Sequence, residues 1–144
     1  MKHIAVQAND FDPGTELARL GNYGAVASFT GHVRGDGGLI SMELEHYPDM
    51  TRRALDTLAD AAMARWPLAA ATIVHRVGTL RPNDRIVFVG TASSHRAAAL
   101  EACTFLIDRL KTEAPFWKKE RFEDGSEAWV EARKADATAA GRWA

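Results

Sequence analysis

A single α+β domain, an antiparallel sheet with helices packed on it, is what the sequence predicts, and three observations carry that prediction. Several short stretches alternate apolar and polar residues at period two. Two longer stretches carry apolar residues at helical spacing. No repeat, low-complexity tract or linker interrupts residues 1–144, a length that suits one hydrophobic core.

The elements follow in order. "KHIAVQ" reads as an opening strand, and "PGTELARLG" as a short helix that Gly21 ends. "GAVASFTGHVRG" reads as a strand covered on both faces, with Val26, Ser28 and Thr30 opposite Ala25, Ala27 and Phe29. "GDGG" is a glycine-rich tip. After it "LISMELEHY" alternates, with Ile40, Met42 and Leu44 on one face and Ser41, Glu43 and Glu45 on the solvated other; the two strands together read as an antiparallel hairpin. A helix follows Pro48, with Asp49 placed to cap it, Leu55, Leu58, Ala62 and Trp66 on its apolar stripe, and Pro67 as its stop. "ATIVHRV" and "RIVFVGTA" are strands joined through the turn signal "RPND". A long helix runs from about Ser94 to Thr112 with Ala99, Cys103, Leu106 and Leu110 as its stripe, and Ser93 or Ser94 is placed to cap it. "FWKKERF" and "AWVEAR" form a last hairpin across "EDGS".

Composition excludes several function classes. The formal net charge is −1, so no overall basic excess argues for nucleic acid, and any positive patch is local. No run approaches the roughly 18 apolar residues of a membrane span, and the N-terminus lacks the pattern of a signal peptide. Cys103 is the only cysteine, which suits a reducing compartment; a cytoplasmic protein is the expectation. The five histidines, His3, His32, His46, His75 and His95, show no paired metal-ligand spacing, so no metal site is expected. "GDGG" is followed by neither the lysine nor the helix of a phosphate-binding loop. On the apolar stripe of a helix, Cys103 reads as inert packing.

Three places are candidates for chemistry. His95 and Arg96 stand where a strand gives way to a helix, and helix N-termini collect anions. Arg34 closes a strand beside a glycine loop. "LKTEAPFWKKE" puts Lys111 and Lys118 on either side of a proline and two large aromatics. Lys111 at a helix C-terminus complements the helix dipole. Lys118 follows Phe116 and Trp117, whose rings can shield it, and desolvation makes an ammonium group a usable base or nucleophile. Spacing alone leaves the structural and the functional reading of this pair both open.

The motifs "TGHVR", "LEHYPDMT", "RWPL", "FVGTASSHR", "LKTEAPFWKKE" and "WVEAR" resemble those of the large, catalytic subunits of molybdopterin synthase. The likeness runs in one register from about Gly24 to Arg133, and "RW" near the C-terminus fits as well. The resemblance implies an α/β-hammerhead fold, a homodimer within a heterotetramer, and a small ubiquitin-like partner whose C-terminal Gly-Gly carries a thiocarboxylate. It implies a sulfurtransferase that passes two sulfurs to cyclic pyranopterin monophosphate, making the dithiolene of molybdopterin in molybdenum cofactor biosynthesis. Carried over position by position, it implies substrate contacts at His32, Val33, Arg34, His95, Arg96, Lys111, Lys118, Lys119 and Glu120, and catalysis by Lys111 and Lys118. His32 departs from the family, which commonly has lysine there. A phosphorylated fused-ring substrate needs cations and apolar walls together, which accounts for the lysines around Pro115, Phe116 and Trp117. The sulfur would arrive on the partner, so the resemblance calls for no cofactor, metal or cysteine nucleophile.

Arg96 and Lys111 on one helix lie about 22 Å apart, too far for one small ligand. Both can serve one pocket only if a second protomer supplies the "SSHR" corner. Two other readings use the same residues: a noncatalytic module binding an anionic heterocycle or nucleotide, and an interaction protein that docks a ubiquitin-like tail.

Overall fold

The computed structural model describes residues 1–130 and 141–143. In chain order the elements are β1 (Lys2–Gln7), α1 (Pro13–Leu20), β2 (Ala25–His32), β3 (Leu39–His46), α2 (Pro48–Arg65), β4 (Leu68–Arg76), β5 (Gly78–Leu80), β6 (Arg85–Ser93), α3 (Arg96–Glu113), β7 (Phe116–Phe122) and β8 (Glu127–Val130). The "EAR" continuation expected of the last strand lies outside the described residues.

The α+β class stands, but among the described residues the strands form two four-stranded sheets. The first has the order β1-β4-β6-β2 and the second β5-β3-β7-β8. Among the described residues pairing is antiparallel except between β1 and β4. Strands β4 and β6 are central and read as continuous apolar runs because both faces are covered. Against one face pack α2 and α3, around Leu55, Ile73, Val89, Phe105 and Leu106; against the other packs α1, around Leu20, Val74 and Phe88. A smaller core of Val33, Leu39, Met42, Leu44 and Leu80 binds the second sheet to the first.

Several expectations need correction. β2 and β3 are not a hairpin: β2 pairs with β6, whereas β3 pairs with β5 and β7. The reason lies at the end of β2. The register shifts between Gly31 and His32, and Val33 then exchanges backbone hydrogen bonds with the turn before β6, to Asp84 O at 2.9 Å and from Asn83 N at 2.9 Å. The chain leaves one sheet there and enters the other through a 3-10 turn at Asp36–Gly38. β2 is also not covered on both faces; it is an edge strand, and Val26 and Phe29 are exposed. A register shift between Leu39 and Ser41 turns Ile40 out to solvent, so Leu39 joins Met42 and Leu44 on the buried face.

The caps differ too. Tyr47 is the N-cap of α2, with Pro48 at its first position, and Asp49 sits in the first turn beside the positive end of the dipole. His95 is the N-cap of α3. Ser93 instead ties down the corner: its hydroxyl donates to Pro67 O at 2.9 Å and accepts from His95 N at 3.2 Å. Gly24 passes so close that a Cβ there would lie 2.6 Å from Ser94 O, so only glycine lets β2 begin against this corner.

Candidate active site

Helix α3 ends where Pro115 forbids its continuation, since proline has no N–H and forces the preceding residue into extended backbone. Ala114 is that residue, at φ −76° and ψ 130°, and Phe116 N bonds back to Ala114 O at 2.8 Å. The chain therefore turns within three residues from the last turn of α3, which carries Lys111, into β7, which carries Lys118. In β7 the pleat sends alternate side chains to opposite faces. Opposite Met42, Leu44 and His46 of β3 stand Glu120, Lys118 and Phe116, which share one face. Glu43 and Trp129 flank Lys119 on the other.

The first of these faces, the end of β2, the end of α3 and the inner ends of β4 and β6 enclose a cavity of about 630 Å³. The expected residues His32, Val33, Arg34, Lys111, Lys118 and Glu120 all line it. Val33 is buried, and His32, Arg34 and Lys111 are exposed at its rim. Phe116 and Trp117 supply aromatic wall, and Trp117 packs on Tyr47 with ring centres 4.9 Å apart. Cations and apolar surface thus meet in one concavity.

Three expected residues lie elsewhere. Lys119 faces away from the cavity, with Nζ 2.6 Å from Glu127 Oε2 and 5.7 Å from the centre of the Trp129 ring. His95 and Arg96 are exposed at the opposite end of α3, a helix of 18 residues. Within one chain the site is without them.

One lining residue escaped the sequence reading. His75 closes an otherwise apolar stretch of β4 and is buried at the cavity's inner wall. Its ring stacks on Phe116, centroids 3.9 Å apart and planes 18° apart, and its Nδ1 lies 2.7 Å from Arg76 O. Burial pushes its pKa down from 6.5 to about 4; the bond to Arg76 O opposes this, and the charges of Lys111 and His46 add to it. The signal was present: a titratable residue in a strand as apolar as "AAATIV" has to be bonded or functional. Cys103, by contrast, is buried as expected, its thiol donating to Val89 O at 3.9 Å and pushed up to about 11 by burial. Among the described residues no group of side chains is arranged to hold a metal ion, and no helix is long and apolar enough to cross a membrane.

In a second depression, lined by Lys2, Asp49, Arg52, Arg53 and Asp56, the Lys2 ammonium is paired within the fold, with Nζ 2.9 Å from Asp56 and 2.7 Å from Asp60.

Comparison with known proteins decides the family. The family model described as MoaE protein matches residues 6–113. The chain belongs to the MoaE family. It is 54% identical to the molybdopterin synthase catalytic subunit of Ralstonia nicotianae, covering 99% of this chain and 85% of that one. It is 49% identical to the catalytic subunit of Escherichia coli K12, covering 97% of each. Among solved structures, the molybdopterin biosynthesis MoaE protein of Burkholderia ambifaria superposes with a TM-score of 0.86 at 50% identity, over 99% of this chain and 98% of that one. Molybdopterin synthase from Staphylococcus aureus superposes with a TM-score of 0.83 at 32% identity, over 91% and 98%. The two-sheet α+β architecture is therefore that of the MoaE family.

Proposed function

We propose that this chain is the catalytic subunit of a molybdopterin synthase, a sulfurtransferase that turns cyclic pyranopterin monophosphate into the dithiolene of molybdopterin. The observation that carries the proposal is the cavity that brings Arg34, Lys111 and Lys118 onto one wall system with Phe116 and Trp117. Membership of a family whose relatives are named molybdopterin synthase catalytic subunits supports the same reading. Arg34 is a planar donor suited to the phosphate, and the aromatic wall suits a flat heterocycle. Lys111 and Lys118 approach from two elements, so that two ammonium groups flank the carbons that take up sulfur and hold or move protons there.

Two sulfurs come from a small ubiquitin-like subunit whose C-terminal Gly-Gly ends in a thiocarboxylate; a subunit named catalytic implies such a companion. His95 and Arg96 enter from a second copy of this chain. The edge strand β2, about 25 Å long, runs from that corner to the cavity, and its exposed Val26 and Phe29 suit packing against another copy. Antiparallel docking along this edge would lay the second copy's corner beside the first copy's cavity.

The deciding test is product formation. Mixed with a thiocarboxylated partner and cyclic pyranopterin monophosphate, the protein should yield a dithiolene; a module that only binds an anionic heterocycle would yield none, and that result would overturn the proposal.

A further inference from the structure

The sulfur-transfer reading gives His75 no task, yet the fold holds this ring with unusual care. Phe116 fixes its plane by stacking, and the 2.7 Å contact between Nδ1 and Arg76 O fixes its rotation. A carbonyl oxygen only accepts, so Nδ1 carries the proton, and in the neutral ring Nε2 is left as a bare acceptor. Among the described residues no donor bonds to Nε2, although the residue is buried and lines the cavity. The nearby polar groups make that acceptor distinctive. Arg34, Lys111 and Lys118 can only donate while charged, and Glu120, when ionised, accepts as an anion. Thr30 and His32 of the lining can also accept, but His32 is exposed and Thr30 half-buried. His75 is the buried neutral acceptor, and stacking and the Nδ1 bond give it a rigid mount.

We propose that His75 Nε2 accepts a hydrogen bond from an N–H of the substrate's fused heterocycle, and so selects the ring while the cations hold the phosphate. The inference rests on the reading of the substrate as cyclic pyranopterin monophosphate. Protonation of the ring would reverse its role from acceptor to donor, and Lys111 from α3 and His46 from β3 both oppose that charge.

Calorimetric titration of the wild-type protein with cyclic pyranopterin monophosphate, and separately with inorganic phosphate, provides the reference. His75→Phe keeps an aromatic ring against Phe116 and removes the acceptor; it should lower pterin affinity by about tenfold or more, the usual consequence of stranding a buried donor. Phosphate affinity, which needs only the cations, should stay within about twofold, and His75→Gln, which restores an acceptor, should recover most of the loss. Should the Phe variant fail to fold, His75→Gln against His75→Met makes the same comparison between side chains of similar length. Equal pterin affinity with and without an acceptor overturns the role of His75 and leaves the substrate reading standing. Parallel loss of pterin and phosphate affinity also overturns it, because it marks a collapsed wall. Wild-type protein that binds phosphate but not the pterin overturns the substrate reading, and this inference with it.

Discussion

The two faces of β7 carry lysines one residue apart and treat them in opposite ways. Lys119 is neutralised within the fold by Glu127, and Arg121 joins the same carboxylate at 2.9 Å. Lys118 lines the cavity beside Phe116 and Glu120, and among the described residues it makes no ion pair. The pleat alone produces this division, since it alternates faces residue by residue. A lysine whose partner is built in serves the sheet; one set on an apolar wall without such a partner is available to a ligand. Charge counting along "WKKE" cannot tell the two apart.

The sharpest way to break this contrast is Lys118→Ala. It should reduce dithiolene formation by ~100- to 10,000-fold, the usual contribution of a positioned acid or base, with the thermal unfolding curve unchanged. Lys118→Arg should fail as well, because guanidinium does not release a proton near neutrality. Product formation within about threefold of wild type would return Lys118 to the structural class.

Next comes the wall behind the cavity face, which excludes charge. With its pKa held near 4 against an ordinary 6.5, His75 binds a proton more readily in the unfolded chain than in the folded one. Stability from this group is therefore complete above pH 6.5 and is lost as pH falls towards 4, by roughly 3 kcal/mol in total. Denaturant unfolding at successive pH values should show that slope in the wild type and a shallower one in His75→Gln; equal slopes would count against a neutral buried ring.

Arg34→Ala should mainly weaken substrate binding, by at least about tenfold, since a charged hydrogen bond contributes on the order of 1.5–3 kcal/mol. Lower turnover at unchanged affinity would move Arg34 into the chemistry.

Whether one chain's cavity face is a whole site can be asked by mixing two inactive variants, Arg96→Ala and Lys111→Ala, under conditions that exchange subunits. Random exchange gives mixed dimers with one doubly defective and one intact pocket, so roughly a quarter of wild-type activity should return if sites act independently. If mass spectrometry verifies the exchange and no activity returns, His95 and Arg96 belong to a structural cap or to partner docking.

The smallest effect belongs to the other face. Lys119→Ala should leave activity within about threefold and cost less than about 1 kcal/mol of stability, as partly exposed ion pairs do. A loss comparable with that of Lys118→Ala would erase the distinction between the faces.

Element positions were legible in the sequence because they depend on local periodicity and punctuation. "EAR" apart, each expected strand and helix has its counterpart among the described residues. Pairing was not legible. A glycine-rich link between two strands looks the same whether it closes a hairpin or carries the chain between sheets, and only the exchange of Val33 with Asn83 and Asp84 decides it. Val26 and Phe29 misled because apolar side chains on an edge strand resemble those of a covered one. β5, three residues long, is too short to show any period. At the site, the lysines and Arg34 were found because charge beside glycine or aromatics is conspicuous. In the sequence His75 shows only as a histidine without paired metal-ligand spacing; its stacking partner lies 41 positions away, on the other sheet, where no local pattern reveals it.

Cys103 makes the protein its own stability probe. Its thiol sits in the core between α3 and β6, and a pKa near 11 leaves only about one molecule in ten thousand as thiolate at neutral pH. An alkylating reagent can reach it only when α3 lifts from the sheet, so the rate of mass increase reads the frequency of that opening. Since both Lys111 and the His95 corner ride on α3, a single labelling experiment reports how firmly the two ends of the proposed composite site are held, with and without ligand.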